Sequence, residues 1–382
     1  MKQIILALLV ILLITACEKA PEVTLPGTED STANITATPN SDFSNVSLLL
    51  ADAEEDVVGL NSFGLIHTPD GKVNFIKENG KYHVWFAATN EGYYFTGNDL
   101  LQISPANPVE NGRAVPVLRR STNGIDSGYA AFGGVVPSQS KNKYLTFYHC
   151  EDYRWAGTGE MTTSKFWAQI AYAESADKIN WEKEGAVITG RDPKPNLPAR
   201  AANGAGNPAT IVHDGYIYIF YNDWHTTIGN ATGPDEIHVA RAAVASDGKP
   251  GSWYKYYNGQ FSEPGIGGNS SPVILAPMRS NPQEYPNDNY AGSVNISYNK
   301  YIKSFVAIYI SVNGVFYCFS KDLLSWSKAR KIENTDNGQL LYPSFLSPSQ
   351  ESDMVTWRYG FLYYGKGEPH NMRRRALAVV VE

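Results

Sequence analysis

Residues 170–181, Ile170-Ala171-Tyr172-Ala173-Glu174-Ser175-Ala176-Asp177-Lys178-Ile179-Asn180-Trp181, read as an alternating strand that runs into an aspartate turn and ends on a tryptophan. The same Ser-x-Asp-x-x-x-Trp string returns from Ser320 to Trp326. Looser copies stand at Asn98-Asp99-Leu100-Leu101-Gln102-Ile103 and at Ser246-Asp247, with Trp253 beyond. The four aspartates, Asp99, Asp177, Asp247 and Asp322, are 78, 70 and 75 residues apart, a period that marks a repeated structural unit. In such a turn the carboxylate accepts backbone amides and the tryptophan fills a seam between sheets. These aspartates are therefore read as structural.

Upstream of each turn lies an aromatic strand with period-two alternation: Tyr82 to Phe86, Tyr144 to Tyr148, Tyr216 to Tyr221 and Phe305 to Tyr309. A fifth, Gly360 to Tyr364, precedes a last strand from Arg375 to Val381. No window offers a long amphipathic helix. Each unit reads as strand, turn, strand, loop, strand, aspartate turn, strand, which is one four-stranded antiparallel sheet. About five sheets fill residues 52–382, and the fifth finds only three strands at the C-terminal end. A strand near Val57 to Ile66 is expected to complete it and close a ring, which removes two open edges. The composition agrees: 24 Tyr, 15 Phe, 8 Trp and 33 Gly suit many short strands joined by turns. Lys and Arg number 32 against 38 Asp and Glu, a net charge of −6 with no dominant basic face, which argues against a nucleic-acid partner.

The N-terminal end reads as an address. Lys2 is followed by an apolar run from Ile4 to Ile14, too short for the ~20 residues of a membrane span. Ile14-Thr15-Ala16-Cys17 then resembles the lipobox of bacterial lipoproteins, which implies a signal peptide over residues 1–16, lipidation at Cys17 and a tether to the cell envelope, with the outer membrane favoured. Residues 17–51 are rich in Thr, Ser, Asn and Pro and read as a flexible linker. Asn34 and Asn45 match glycosylation acceptors but read as ordinary linker residues. Cys150 and Cys318 are expected to be buried free thiols.

The ring resembles the five-bladed β-propeller glycoside hydrolases, the broad group of arabinanases, β-xylosidases and levansucrase-like enzymes. The likeness rests on the Tyr-rich second strand, the Ile170 to Ser175 strand with its aspartate turn and Trp181, and Gly185-Ala186-Val187-Ile188 after it. It implies an all-β, five-bladed β-propeller of four-stranded antiparallel sheets over residues 52–382. It further implies a carbohydrate partner and a central funnel with three acidic groups: a base in the first blade, a pKa-tuning Asp in the second and a general-acid Glu in the third. Asp70 would take the base position and Asp126 the modulating one. Blade three departs from that pattern, because Gly206-Asn207-Pro208 opens its first strand and an amide such as Asn207 cannot transfer a proton to a leaving group.

Topology supplies the other candidates. If the innermost strands run away from the funnel mouth, the loops before first strands and after second strands open on it. The former bring Asp70, Asp126, Tyr129, Asn203, Asn207, Asp288 and Tyr342; the latter bring His149-Cys150-Glu151-Asp152 and Asp223-Trp224-His225. Glu151, Asp223 or Glu236 would supply the missing acid. Glu151 is favoured, since a neighbouring Asp152 favours its protonated form by like-charge repulsion. Thus Asp70, Asp126, Glu151 and Asp223 are the expected catalytic carboxylates. His149, Asp152, Trp224, His225, Tyr129, Asn207, Asp288 and Tyr342 are the expected substrate contacts, Trp224 as a platform for a sugar face. Glu236 has a second reading as a partner of Arg241. No ligand spacing around His149 and His225 supports a metal, so no cofactor is expected. Arg373-Arg374-Arg375 reads as a solvated edge.

Overall fold

A computed structural model describes residues 43–57, 60–107, 109–139, 141–152, 166–191, 203–224, 235–335 and 340–382. Blade one is built from Asn74–Glu78, Lys81–Ala88, Glu91–Gly97 and Ser104–Pro105, and blade two from Tyr129–Pro137, Tyr144–Asp152, Trp167–Ser175 and Glu182–Ile188. Blade three uses Asn203–His213, Tyr216–Trp224, Ile237–Ala243 and Tyr254–Tyr257; blade four uses Gly292–Asn299, Ser304–Ser311, Gly314–Ser320 and Arg330–Lys331. Blade five has Leu341–Leu346, Tyr359–Lys366 and Asn371–Val381. Within each blade, consecutive strands pair antiparallel. The architecture is the expected five-bladed β-propeller. No helix among the described residues is long and apolar enough to cross a membrane.

The strand that pairs with the last strand of blade five is not the one expected at Val57 to Ile66. Val46–Asp56 pairs antiparallel with Asn371–Val381, whereas the described residues of the expected strand at Val57 to Ile66 form no strand and include a short 3-10 turn at Asn61–Phe63. Phe43 is buried, so the packed body extends into the stretch read as linker. Charge fixes the register: Glu54, Glu55 and Asp56 stand opposite Arg375, Arg374 and Arg373. Arg374 Nε donates to Glu55 Oε2 at 2.7 Å, and Arg373 pairs with Asp56. The arginine run is therefore no solvated edge. Arg374 and Arg375 are buried, because opposite charges on facing strands let both be covered.

Five apolar clusters fill the five seams of the ring. Trp85 and Tyr148 share the seam of blades one and two, Phe147 and Tyr221 that of two and three, and Phe220 and Tyr309 that of three and four. Ile308 and Phe345 join blades four and five, and Phe75 and Tyr363 join five and one. The repeated tryptophans plug these seams as read: Trp253 meets Phe147 edge-on at 5.1 Å, Trp181 meets Phe132 at 5.4 Å, and Trp326 meets Phe220 at 5.9 Å. The turns are also as read. Asp177 Oδ1 accepts from the amides of Ile179 and Asn180 at 2.9 and 2.7 Å, and Asp322 Oδ1 from those of Leu324 and Ser325 at 2.9 and 2.7 Å. Cys150 and Cys318 are buried and free.

Around the axis, short polar side chains stitch each blade to the next. Asn74 Nδ2 donates to Phe132 O, Thr210 Oγ1 to Gly133 O, and the Ser293 amide to Asn222 Oδ1. The Phe345 amide donates to Asn295 Oδ1 and the Val73 amide to Ser344 Oγ. Apolar residues cannot do this near an axis where first strands crowd, since their exposed backbone amides would go unpaired. Close approach also dictates glycine: a Cβ on Gly133 would lie 2.2 Å from Pro208 Cγ.

Candidate active site

The first strands of blades two to five each break register at the same depth, between Phe132 and Val135, Gly206 and Ala209, Gly292 and Asn295, and Leu341 and Ser344. Three of these bulges carry a residue with left-handed backbone: Asn207 (φ 51°), Ser293 (φ 49°) and Tyr342 (φ 53°). Bulges re-aim side chains, and here they do so around one small pocket, a cavity of about 20 Å³. Its lining includes Asp70, Lys72, Tyr129, His149, Asn207 and Tyr342. Those residues come from the starts of first strands and the end of a second strand, the two places that topology indicated.

Asp70 is half-buried, and its carboxylate is held across blades: the Tyr342 hydroxyl donates to Oδ1 at 3.2 Å and the Asn90 amide to Oδ2 at 3.2 Å. The Tyr129 hydroxyl donates to the Asp70 backbone carbonyl. Tyr129 stands opposite Glu151 in the strand pairing. Burial pushes the Tyr129 and Tyr342 phenols well up, and the charges of Asp70 and Glu151 push both further. The two carboxylates therefore lie near one pair of tyrosines, although they arise on different blades.

Glu151 is buried, and its Oε1 lies 2.9 Å from His149 Nε2. The Asn207 amide donates to His149 Nδ1 at 3.2 Å. A nitrogen that accepts carries no proton, so the neutral imidazole bears its hydrogen on Nε2 and donates it to Glu151. His149 is wedged between Tyr129 (5.2 Å, edge-on) and Trp224 (6.1 Å, edge-on). Trp224 thus buttresses His149. Gly206 leaves room for this, since a Cβ there would lie 2.5 Å from the imidazole.

Other candidates go elsewhere. Asp126 is buried between blades one and two, where Lys183 Nζ donates to it at 2.5 Å and the Tyr148 hydroxyl at 3.3 Å. Asp152 follows Glu151 in a strand, so its side chain points to the opposite face, where Ser127 Oγ lies 3.5 Å from Oδ1. Adjacency in sequence does not make these two acids neighbours in space, and the expected repulsion loses its geometric basis. Asp223 accepts from Ser270 Oγ at 2.7 Å and lies near buried Lys255, whose ammonium is pushed down to about 8 by burial, with Asp223 and Glu263 opposing. Asp288 is fully buried and caps the Ser311–Asn313 turn through Ser311 Oγ and the Asn313 amide and side chain. Glu236 pairs with Arg279 at 2.6 Å and the Ala276 amide at 2.9 Å, while Arg241 stacks on Tyr216 and Phe261 instead. Burial pushes the Glu236 carboxyl up; its Ala276 amide bond and the Arg279 charge oppose this. His225 and Cys17 lie outside the described residues, and of Asn203 only the backbone strand is described.

Sequence reasoning missed several residues in or beside the pocket. Lys72, two residues after Asp70, enters the pocket wall, with its ammonium taken by buried Asp353 at 2.7 Å. Ser293 lines the pocket at the bulge equivalent to Asn207. His370 packs against Tyr342 with ring centroids 6.3 Å apart, and burial holds its imidazole below the ordinary histidine range. The alternation Asp70-Gly71-Lys72 was the one available signal.

No family model and no curated protein matches the chain. Solved structures do. A family 117 glycoside hydrolase, Zg3597 from the marine bacterium Zobellia galactanivorans, aligns with a TM-score of 0.52 at 13% identity, over 84% of this chain and 86% of that one. A thermostable family-43 glycoside hydrolase aligns with a TM-score of 0.50 at 13% identity, over 82% and 91%. At such identities the likeness establishes the fold, which is that of the five-bladed β-propeller glycoside hydrolases.

Proposed function

We propose that the protein is a carbohydrate-acting propeller, a glycosidase whose working carboxyls are Asp70 and Glu151. The observation that supports it is that Asp70 and His149, the hydrogen-bond partner of Glu151, line one axial pocket together with Tyr129 and Tyr342. Glycosidic cleavage needs one carboxyl to protonate the departing oxygen and a second to draw a proton from water or attack the anomeric carbon, the choice following their separation, ~5–5.5 Å or ~6.5–9.5 Å. Asp70, which accepts from a phenol and an amide, takes the base or nucleophile role in this reading. Glu151, with Oε1 engaged by His149, offers its other oxygen as the proton carrier. Tyr129, Tyr342, Asn207 and Lys72 frame the sugar. The N-terminal string points further to a chain lipidated at Cys17 and held at the bacterial cell envelope, outside the cytoplasm.

A second reading, a glycan-binding propeller without turnover, is favoured by Asn207 in place of an acid and by the capture of Asp126 by Lys183. A screen of the purified protein against a panel of oligosaccharides, scored for new reducing ends and for binding heat, separates the two. Turnover lost in Asp70→Asn and Glu151→Gln supports the glycosidase. Binding without product supports the second reading, and neither signal would sink both.

A further inference from the structure

The fold brings together His67, before the first strand of blade one, and His370, in the last hairpin of blade five, 303 residues away. Their Nδ1 atoms face each other at 3.3 Å, and Glu368 Oε1 lies 3.9 Å from His67 Nδ1. One ligand atom from each of the three residues falls within a 4.8 Å set. Sequence spacing could not reveal this cluster, because His67 and the Glu368–His370 pair come from opposite ends of the chain.

The proton positions matter. His370 Nε2 lies 3.1 Å from the Pro69 carbonyl, which only accepts, so the neutral ring carries its hydrogen there and turns an Nδ1 lone pair toward His67. A histidine whose far N–H is tied to a backbone carbonyl is the arrangement that orients metal ligands. The facing nitrogens are slightly beyond the usual hydrogen-bond range of ~2.7–3.2 Å. They match instead the edge of a tetrahedron with metal–nitrogen bonds of ~2.0–2.1 Å, which is about 3.3–3.4 Å. The backbone holds this geometry: the Thr68 amide donates to His370 O at 2.9 Å and the Met372 amide to Thr68 Oγ1 at 3.2 Å.

We propose that His67 Nδ1, His370 Nδ1 and the Glu368 carboxylate bind a divalent ion of the zinc class, with a fourth position open to water. Exposed Glu368 provides the entry side, and half-buried His67 and buried His370 form the inner wall. Bound there, the ion pins the 67–70 segment against the last hairpin. That segment carries Asp70, and His370 packs on Tyr342, which bonds Asp70, so the ion acts as a positioning element for the pocket. The site stands on its own ligands whether or not the pocket turns over sugar.

The test uses the full-length protein, stripped with chelator and titrated with Zn²⁺, then with Co²⁺. We expect one ion per chain by elemental analysis, a cobalt absorption band of tetrahedral type and a higher melting temperature with metal. His67→Gln should weaken zinc binding at least ~100-fold and Glu368→Gln about 10-fold, on the scale by which even supporting residues change metal affinity. Equal melting temperatures of the metal-free proteins would show that both variants fold. Wild-type protein that retains no ion at micromolar free zinc, or variants that bind it as tightly, would overturn the proposal; the facing imidazoles would then be a hydrogen-bonded pair.

Discussion

Asp177 and Asp70 both sit in turns of the same ring, yet they are held in opposite ways. Every polar partner named for Asp177 lies within three residues of it: the Ser175 hydroxyl and the amides of Ile179 and Asn180. Asp70 is held by partners 20 and 272 residues away, the Asn90 amide and the Tyr342 hydroxyl. Local partners make a turn that can be copied from blade to blade, so it repeats and is architectural. Partners gathered from several blades exist only where the ring converges, so they occur once and can hold chemistry.

The widest effect expected from this contrast is on turnover. Asp70→Asn should lower the rate of glycoside cleavage by ~10²–10⁴, the range for removing a general acid or base, with little change in melting temperature. Asp177→Asn should leave the rate intact. Initial rates on the best substrate of the screen, measured for both proteins, decide the matter. Comparable losses in the two would erase the distinction between site and scaffold.

Next in size is the scaffold itself. Trp253 is buried and packs edge-on against Phe147 across the seam of blades two and three. Trp253→Ala should cost about 3–5 kcal/mol, the range for removing a large buried aromatic ring. A shift of the urea midpoint reads this directly. Trp326, only partly covered, should cost less when truncated.

That division also explains what could be read without coordinates. The period of the aspartate turns, the Tyr-rich second strands and the seam tryptophans are local signals, and they led to five four-stranded sheets. The Val46–Asp56 strand was misplaced because its apolar half, Val46 to Ala51, directly follows the polar stretch read as linker and its other half is acidic. Its register rests on Glu54, Glu55 and Asp56 meeting Arg375, Arg374 and Arg373, a match visible only once the strands face each other. At the site, Asp70, Tyr129, His149, Glu151, Asn207 and Tyr342 came from topology and do gather around the axis. Asp126 and Asp288 occupy equivalent sequence positions, but Lys183 and the Ser311–Asn313 turn claim them. Ser293 and His370 carried no local signature, and Lys72 only its alternation with Asp70, since their roles depend on bulges and on contacts across the ring.

A smaller effect should follow from crowding the inner region by one methyl group. A Cβ on Gly206 would lie 2.5 Å from the His149 ring and 2.6 Å from Trp224. Gly206→Ala should cost about 1–3 kcal/mol, as overpacked cores do, and should weaken oligosaccharide binding by displacing His149 from Glu151. Calorimetry on the variant checks both. Unchanged sugar binding would remove His149 from the pocket's working set.

The smallest effect lies in the outer turn and concerns pH. Burial works against the charge of Asp177, but the Asn180 amide and side chain, the Ile179 amide and the Ser175 hydroxyl outweigh it and hold the carboxyl at about 2. An unfolded aspartate titrates near ~3.9. A group with a depressed folded pKa contributes stability that is fully present above the unfolded value and is lost as pH falls toward the folded one. Asp177 should therefore add a stability loss between about pH 4 and pH 2, and Asp177→Asn should flatten that part of the curve. Because the side chain is exposed, solvent screens the effect, and the difference at neutral pH should stay below ~1 kcal/mol. Urea midpoints of both proteins from pH 7 to pH 2 give the comparison. Parallel curves would mean that the amides around Asp177 hold an uncharged acceptor equally well, so that the repeated aspartate shapes the turn through geometry and its charge adds nothing.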